Sequence, residues 1–163
     1  MQMQVTAGRY HTLLVHGSSV YSCGSSSCGV LGHGQEITQC ATFSRISLPS
    51  QSVVTHISAS HNHTAFVLQS GEVNVFTCGD NSSFCCGHGE VGHTIFRPTR
   101  IEALKGVPCK QVYHHVYTWG RGYCGALGHG DETDKISPEL VTSLECHLAV
   151  QVWCLGFPPF QLC

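Results

Sequence analysis

Three stretches of this chain align without a gap: Val20-Tyr-Ser-Cys-Gly-Ser-Ser-Ser-Cys-Gly-Val-Leu-Gly-His-Gly34, Val75-Phe-Thr-Cys-Gly-Asp-Asn-Ser-Ser-Phe-Cys-Cys-Gly-His-Gly89 and Val116-Tyr-Thr-Trp-Gly-Arg-Gly-Tyr-Cys-Gly-Ala-Leu-Gly-His-Gly130. Each reads apolar, aromatic, Ser/Thr, Cys or Trp, Gly, and each reaches Gly-His-Gly eight residues after that glycine. Alternating β-branched and aromatic residues favour a strand, and a glycine that ends it permits a sharp bend. Three matches of this length make the chain a repeat protein, whose period has to be read before anything else.

Working outward, Ala7–Val15 matches Ala59–Val67 fifty-two residues later, each with His-Thr opening an apolar run (His11-Thr12 and His63-Thr64). These runs predict hairpins: Thr12–Val15 with Val20–Cys23 across His16-Gly17-Ser18, and Thr64–Gln69 with Val75–Cys78 across Ser70-Gly71. Downstream of each Gly-His-Gly lies an extended apolar segment, Phe43–Leu48, Pro98–Leu104 or Pro138–Leu144. A last short strand follows in each case: Val54–Ile57, Lys110–Val112 or Val150–Val152. Each unit is then a four-stranded sheet that must stack on a neighbour to bury its faces. The expected organisation is a first repeat over 1–58, a second over 59–112, a partial third over 113–152 and a non-repeat tail over 153–163.

The third unit is short at its start. Ile57 precedes Phe76 by nineteen residues, whereas Val112 precedes the equivalent Tyr117 by five, leaving only Tyr113-His114-His115 where a His-Thr strand belongs. Val116–Trp119 is therefore expected to lack its hairpin partner, and its open edge invites self-association.

Composition narrows the function. Of 163 residues only 11% are charged, eighteen are glycine and the formal net charge is −2, which favours short strands and tight turns over amphipathic helices. No cluster of Lys and Arg exists to displace counterions from phosphates, so direct nucleic-acid binding is not expected. The N-terminus lacks a basic segment followed by an apolar core, and no apolar run is long enough to span a bilayer. An intracellular location, cytoplasmic or nuclear, with eleven cysteines in the reduced state, is the expectation.

These residues resemble the repeat of the regulator of chromosome condensation family, which looks like Gly-x-x-His-Thr, an apolar strand, Gly-x-Val-Tyr-Thr-Trp-Gly and Gly-Gln-Leu-Gly-His-Gly. Val116–Gly130 matches best, with Trp119 at the tryptophan position, while Cys23 and Cys78 stand there in the other copies. The resemblance covers about Ala7 to Val152. It implies an all-β fold: a partial β-propeller of about three four-stranded blades, with the ring not closed and the third blade incomplete. A shortened form of a longer propeller is expected. The signature positions it implies are His11, Thr12, Gly24, Gly32, His33, Gly34, His63, Thr64, Gly79, Gly87, His88, Gly89, Trp119, Gly120, Gly128, His129 and Gly130.

No nucleophile constellation, phosphate-cradling loop or paired-carboxylate site occurs, so no catalytic residue and no cofactor are expected. A histidine recurring at the same place in every unit reads as structural, because an active site needs convergence rather than repetition. Cys23-x4-Cys28, Cys85-Cys86-Gly-His88 with His93, and Cys146-His147 look ligand-like, but none has paired zinc spacing. The leading expectation is a non-catalytic scaffold for protein–protein interaction. It would act through the loops after each strand-ending glycine: Ser25, Ser26, Ser27; Asp80, Asn81, Ser82, Ser83; and Arg121, Gly122, Tyr123. The resemblance implies a protein partner, a small GTPase or a chromatin protein among them, with guanine nucleotide exchange as the alternative activity and a zinc-binding module as another. The ultraviolet-B receptor branch absorbs through tryptophans in Gly-Trp-Arg-His-Thr. The matching Gly8–Thr12 and Ser60–Thr64 lack that tryptophan.

Overall fold

His11–His16 (β2) and Ser19–Ser25 (β3) form the hairpin the alternation predicts, registered from His11↔Gly24 to His16↔Ser19 about a two-residue turn at Gly17-Ser18. The computed structural model describes residues 3–49, 53–69, 73–89, 94–106, 116–145 and 160–162. Ser70-Gly71, Lys110–Val112, Tyr113–His115 and Val150–Val152, all used in the sequence-based assignment, lie outside the described residues.

Two four-stranded antiparallel sheets follow one plan. Met3–Ala7 (β1), β2, β3 and Gln39–Arg45 (β4) are ordered β1-β2-β3-β4. Val53–Ala59 (β5), His63–Gln69 (β6), Val73–Asp80 (β7) and Thr94–Arg100 (β8) repeat that order. A smaller sheet holds Lys135–Leu140 (β10), Tyr117–Gly120 (β9) and Phe160–Leu162 (β11), ordered β10-β9-β11. Among the described residues the regular structure is otherwise three short 3-10 turns. The architecture is all-β and propeller-like, with open sheets.

Two expectations need correction. Val54–Ile57, assigned from sequence to the end of the first unit, lies in β5 and pairs with β6, so it opens the second sheet. Sequence order does not say which neighbour such a strand joins. The packing does: Gln4 Nε2 donates to Thr55 O at 2.6 Å and Ala59 N to Thr6 Oγ1 at 3.4 Å, setting β1 and β5 side by side as the leading strands of adjacent blades. Second, β9 is not left with an open edge. Phe160, Gln161 and Leu162 pair with Trp119, Thr118 and Tyr117, so the segment expected to be a non-repeat tail supplies the missing strand.

Pro98 and Pro138 sit in β8 and β10, the outermost strands of their sheets. A residue without an N–H is tolerated at an edge, where no ladder bond is lost.

The core is not inside any one sheet but between sheets. Leu13, Val15, Val20 and Ile46 of the first blade pack on Val54, Phe66, Leu68, Phe76 and Cys78 of the second. Ala65, Val75, Ile101 and Leu104 of the second pack on Trp119 of the third. Pleating explains the division. Leu13 and Val15 point one way from β2, and Phe66 and Ala65 leave β6 on opposite faces, one into each seam. On the first blade, Met3 and Val5 of β1 are 68% and 61% exposed.

Candidate functional site

Gly24 and Gly79 decide where the loops begin. Their φ values of +115° and +121° suit glycine, and a Cβ at either would collide with the backbone at Tyr10–His11 or Asn62–His63. That close approach lets Ser25 N donate to Tyr10 O and Asp80 N to Asn62 O, both at 2.8 Å. The β1–β2 corner and the β3–β4 loop of a blade therefore share one end of the sheet, as do the β5–β6 corner and the β7–β8 loop.

The Gly-His-Gly boxes are clasps. The hydroxyls of Ser22, Thr77 and Thr118 donate to Leu31 O, Cys86 O and Leu127 O at 2.9, 2.7 and 2.6 Å. The same hydroxyls lie 2.9 Å from Nε2 of His33, His88 and His129. A hydroxyl has one proton, and it is already donated, so each imidazole is the donor from Nε2. Burial lowers the pKa of His33, with the Arg97 charge adding to it, and burial lowers that of His88. The loops also reach the next blade, Gly34 N donating to Phe96 O at 3.0 Å and Gly89 N to Ile136 O at 2.9 Å. In this geometry each of the three imidazoles bridges its loop to a strand hydroxyl of its own blade.

Of the loop residues singled out from sequence, the central ones turn inward. Ser26 and Asn81 are buried, and Gly122 is buried with its N–H on Asp134 Oδ1 at 2.9 Å. Asn81 Oδ1 accepts from Cys86 N at 3.0 Å, and Ser26 N donates to Thr38 O at 2.7 Å, so these residues brace the loops. Ser25, Ser27, Ser82, Arg121 and Tyr123 are exposed, with Asp80 and Ser83 half-buried. Tyr123, at 77%, is the most exposed of the large hydrophobic side chains among the described residues.

Sequence reasoning missed the corners that join this surface. Arg9 stacks 4.9 Å from the Tyr10 ring and its guanidinium meets His61 Nε2 of the next blade, while Arg121 Nε donates to Ser83 Oγ at 3.1 Å. Tyr10 is 62% exposed. The only signal in the sequence is that Gly8–Tyr10 and Ser60–Asn62 precede equivalent His-Thr strands, which places them at equivalent corners.

Beneath the corners the first seam holds buried polar side chains. Thr64 Oγ1 donates to Val30 O at 2.9 Å and lies 2.9 Å from His11 Nε2, so the His11 ring is again the donor and its buried Nδ1 has no partner. Burial drops the pKa of His11 to about 4. Burial does the same to His63, also to about 4, helped by His11 and His61 and opposed by Asp80. Cys28, Cys78 and Cys86 are poor nucleophiles, because burial pushes their thiols up. Cys23, Cys28, Cys40, Cys78, Cys86 and Cys124 are free thiols, and among the described residues no group of three or more His, Cys, Asp or Glu could hold a metal. His93 and Cys146-His147 lie outside the described residues.

Comparison with known proteins follows the same lines. The chain is 32% identical over 155 residues to the ultraviolet-B receptor UVR8 of Arabidopsis thaliana, covering 86% of this chain and 34% of that protein. It is 30% identical over 151 residues to the mouse E3 ubiquitin-protein ligase HERC2, covering 83% of this chain and 3% of that much longer protein. In fold it is similar to human WBSCR16, with a TM-score of 0.71 at 19% identity, covering 91% of this chain and 40% of that one. It is also similar to Prp20p of Saccharomyces cerevisiae, with a TM-score of 0.67 at 21% identity, covering 85% of this chain and 38% of that one. The sequence profile of the regulator of chromosome condensation (RCC1) repeat matches residues 18–67, 74–114 and 113–154. With that profile over most of the chain, and with clasps and seams recurring blade by blade, this protein belongs to the RCC1 repeat family.

Proposed function

We propose that this chain is a non-catalytic scaffold that binds a protein partner through the loop ends of its blades. One observation carries the reading: exposed Tyr10 and Tyr123, with Arg9 and Arg121, stand on corners and loops tied to the second blade by side-chain bonds. Tyrosine and arginine on a braced surface are the residues that dominate binding energy at protein interfaces. The half-buried and exposed loop residues Ser25, Ser27, Asp80, Ser82 and Ser83 supply hydrogen-bonding groups around them. Free thiols among the described cysteines suit the reducing cytoplasm or nucleus.

Two partner classes come from a fold relative, since Prp20p is described with binding properties to Gsp1p and histones. The test is titration of the full chain with a small GTPase of that kind and, separately, with histones, alongside a nucleotide-release assay. Saturable binding weakened by about tenfold or more in Tyr10→Ala and Tyr123→Ala, with no faster nucleotide release, supports the scaffold. Binding indifferent to both substitutions removes this surface. Accelerated nucleotide release replaces the scaffold with the exchange-factor reading.

A further inference from the structure

The third sheet is completed by a strand that is not part of the repeat. In the first blade Thr12, Leu13 and Leu14 pair with Cys23, Ser22 and Tyr21, and in the second Thr64, Ala65 and Phe66 pair with Cys78, Thr77 and Phe76. In the third, Phe160, Gln161 and Leu162 take those register positions opposite Trp119, Thr118 and Tyr117. Their direction is also antiparallel. Backbone hydrogen bonds do not read side chains, so any extended segment of suitable shape can occupy such a seat.

How the seat is held differs between blades. β2 and β6 are fixed by six and seven register pairs and are followed directly by the strand they pair with. β11 has three pairs, and nineteen residues lie between Leu140, the end of the paired β10, and Phe160. A long connection gives a lower effective concentration than a hairpin turn does. The seat therefore favours its own chain only weakly over an identical strand from elsewhere.

We propose that the β9 edge is a strand-acceptor site filled reciprocally by Phe160–Leu162 of a second copy, so that two chains associate by exchanging their C-terminal strands. A second copy is the occupant because it carries the one segment the structure shows fitting this register. Reciprocal exchange also leaves neither acceptor edge unpaired, and it replaces each intrachain bond with an identical one. The site is independent of the loop surface proposed above.

The experiment uses the full chain in three forms: unmodified, Leu162→Pro, and Leu162→Val. Val141 N donates to Val116 O, so by alternation Tyr117 and Trp119 turn their backbone groups towards β11, and Leu162 stands at a hydrogen-bonded position. Proline there removes a ladder donor, whereas valine keeps strand propensity. Mass by light scattering should report a dimer for the unmodified chain and for Leu162→Val. In Leu162→Pro the dimer dissociation constant should rise by about tenfold or more. Hydrogen exchange should then quicken at Tyr117–Gly120 while β2 and β6 keep their protection. A synthetic peptide spanning Pro158–Cys163 should convert the unmodified dimer to monomer, and the same peptide with proline at its Leu162 position should not. A monomer at every concentration with Tyr117–Gly120 protected would show that the strand stays with its own chain and would overturn the proposal. A dimer that survives both Leu162→Pro and the peptide would place association elsewhere and would overturn it too. If the proline variant fails to fold, the peptide arm on the unmodified chain decides.

Discussion

The seam between the first and second blades and the seam between the second and third solve the same packing problem with different residues. At the position equivalent to Cys23, the second blade inserts Cys78, whose thiol lies 3.9 Å from Val30 O. The third blade inserts Trp119, fully buried, whose indole Nε1–H donates to Cys85 O at 2.9 Å. The first seam compensates with Phe66, Leu68 and Phe76 around the small thiol and with the His11–Thr64–Val30 relay. The second concentrates its burial in one aromatic side chain. A repeat position thus fixes where a contact is made, while the neighbours fix how much that contact contributes.

Trp119→Ala sharpens this contrast most. It should destabilise the chain by about 3–5 kcal/mol, whereas Cys78→Ala should cost about 1 kcal/mol, because one change empties a seam and the other removes a single heavy atom. Denaturant titration followed by circular dichroism reads both, and similar losses would mean the seams share their burial evenly after all.

Gly87→Val comes next. A Cβ there would sit 3.0 Å from Trp119 Nε1 and 3.2 Å from Ile101 Cδ1, on a backbone at φ +72°. A cost of about 2–3 kcal/mol is expected, against less than about 0.5 kcal/mol for exposed Ser82→Val. Ser26, although also a loop serine, is no such control, since it is buried. Soluble yield and thermal midpoint of the two variants test the assignment.

Acid should then attack the first seam selectively. His11 and His63 each titrate near 6.5 when unfolded and at about 4 when folded. The unfolded chain binds more protons between those values, so stability is full above pH 6.5 and is lost as pH falls towards 4. Hydrogen exchange at pH 7 and pH 5 should show β2 and β6 losing more protection than β9. Replacing His11 by Gln should make the profile shallower while leaving the share of His63, and a profile unchanged by that substitution would assign the acid sensitivity elsewhere.

The smallest effect belongs to the clasps, which all the blades share. Thr77→Val and Thr118→Val should each cost about 1–2 kcal/mol by leaving a loop carbonyl and an imidazole without the hydroxyl between them. A difference between the two larger than about 1 kcal/mol would show that blade context, rather than the clasp, sets the loss.

Much of this was legible in the sequence because the repeat does the reading. The strand-ending glycines, the hairpins and the recurrence of His33, His88 and His129 follow from aligned residues whose chemistry is local. Three features were not legible. The pairing of β5 with β6 depends on which blade a strand meets after a connection, and nothing in Val54–Ile57 encodes that. The inward turn of Ser26, Asn81 and Gly122 depends on loop hydrogen bonds to Thr38, Cys86 and Asp134, partners several residues away. The seating of Phe160–Leu162 on β9 rests on backbone complementarity, which carries no motif to align.

The direction of the three imidazole hydrogen bonds has a spectroscopic consequence. Each ring nitrogen that donates to a strand hydroxyl holds its proton out of rapid exchange with water. Each of these imidazole resonances should therefore be observable by nuclear magnetic resonance, one for each blade. Loss of a single signal under heat, acid or partner binding would identify which blade has loosened, without a label or a substitution.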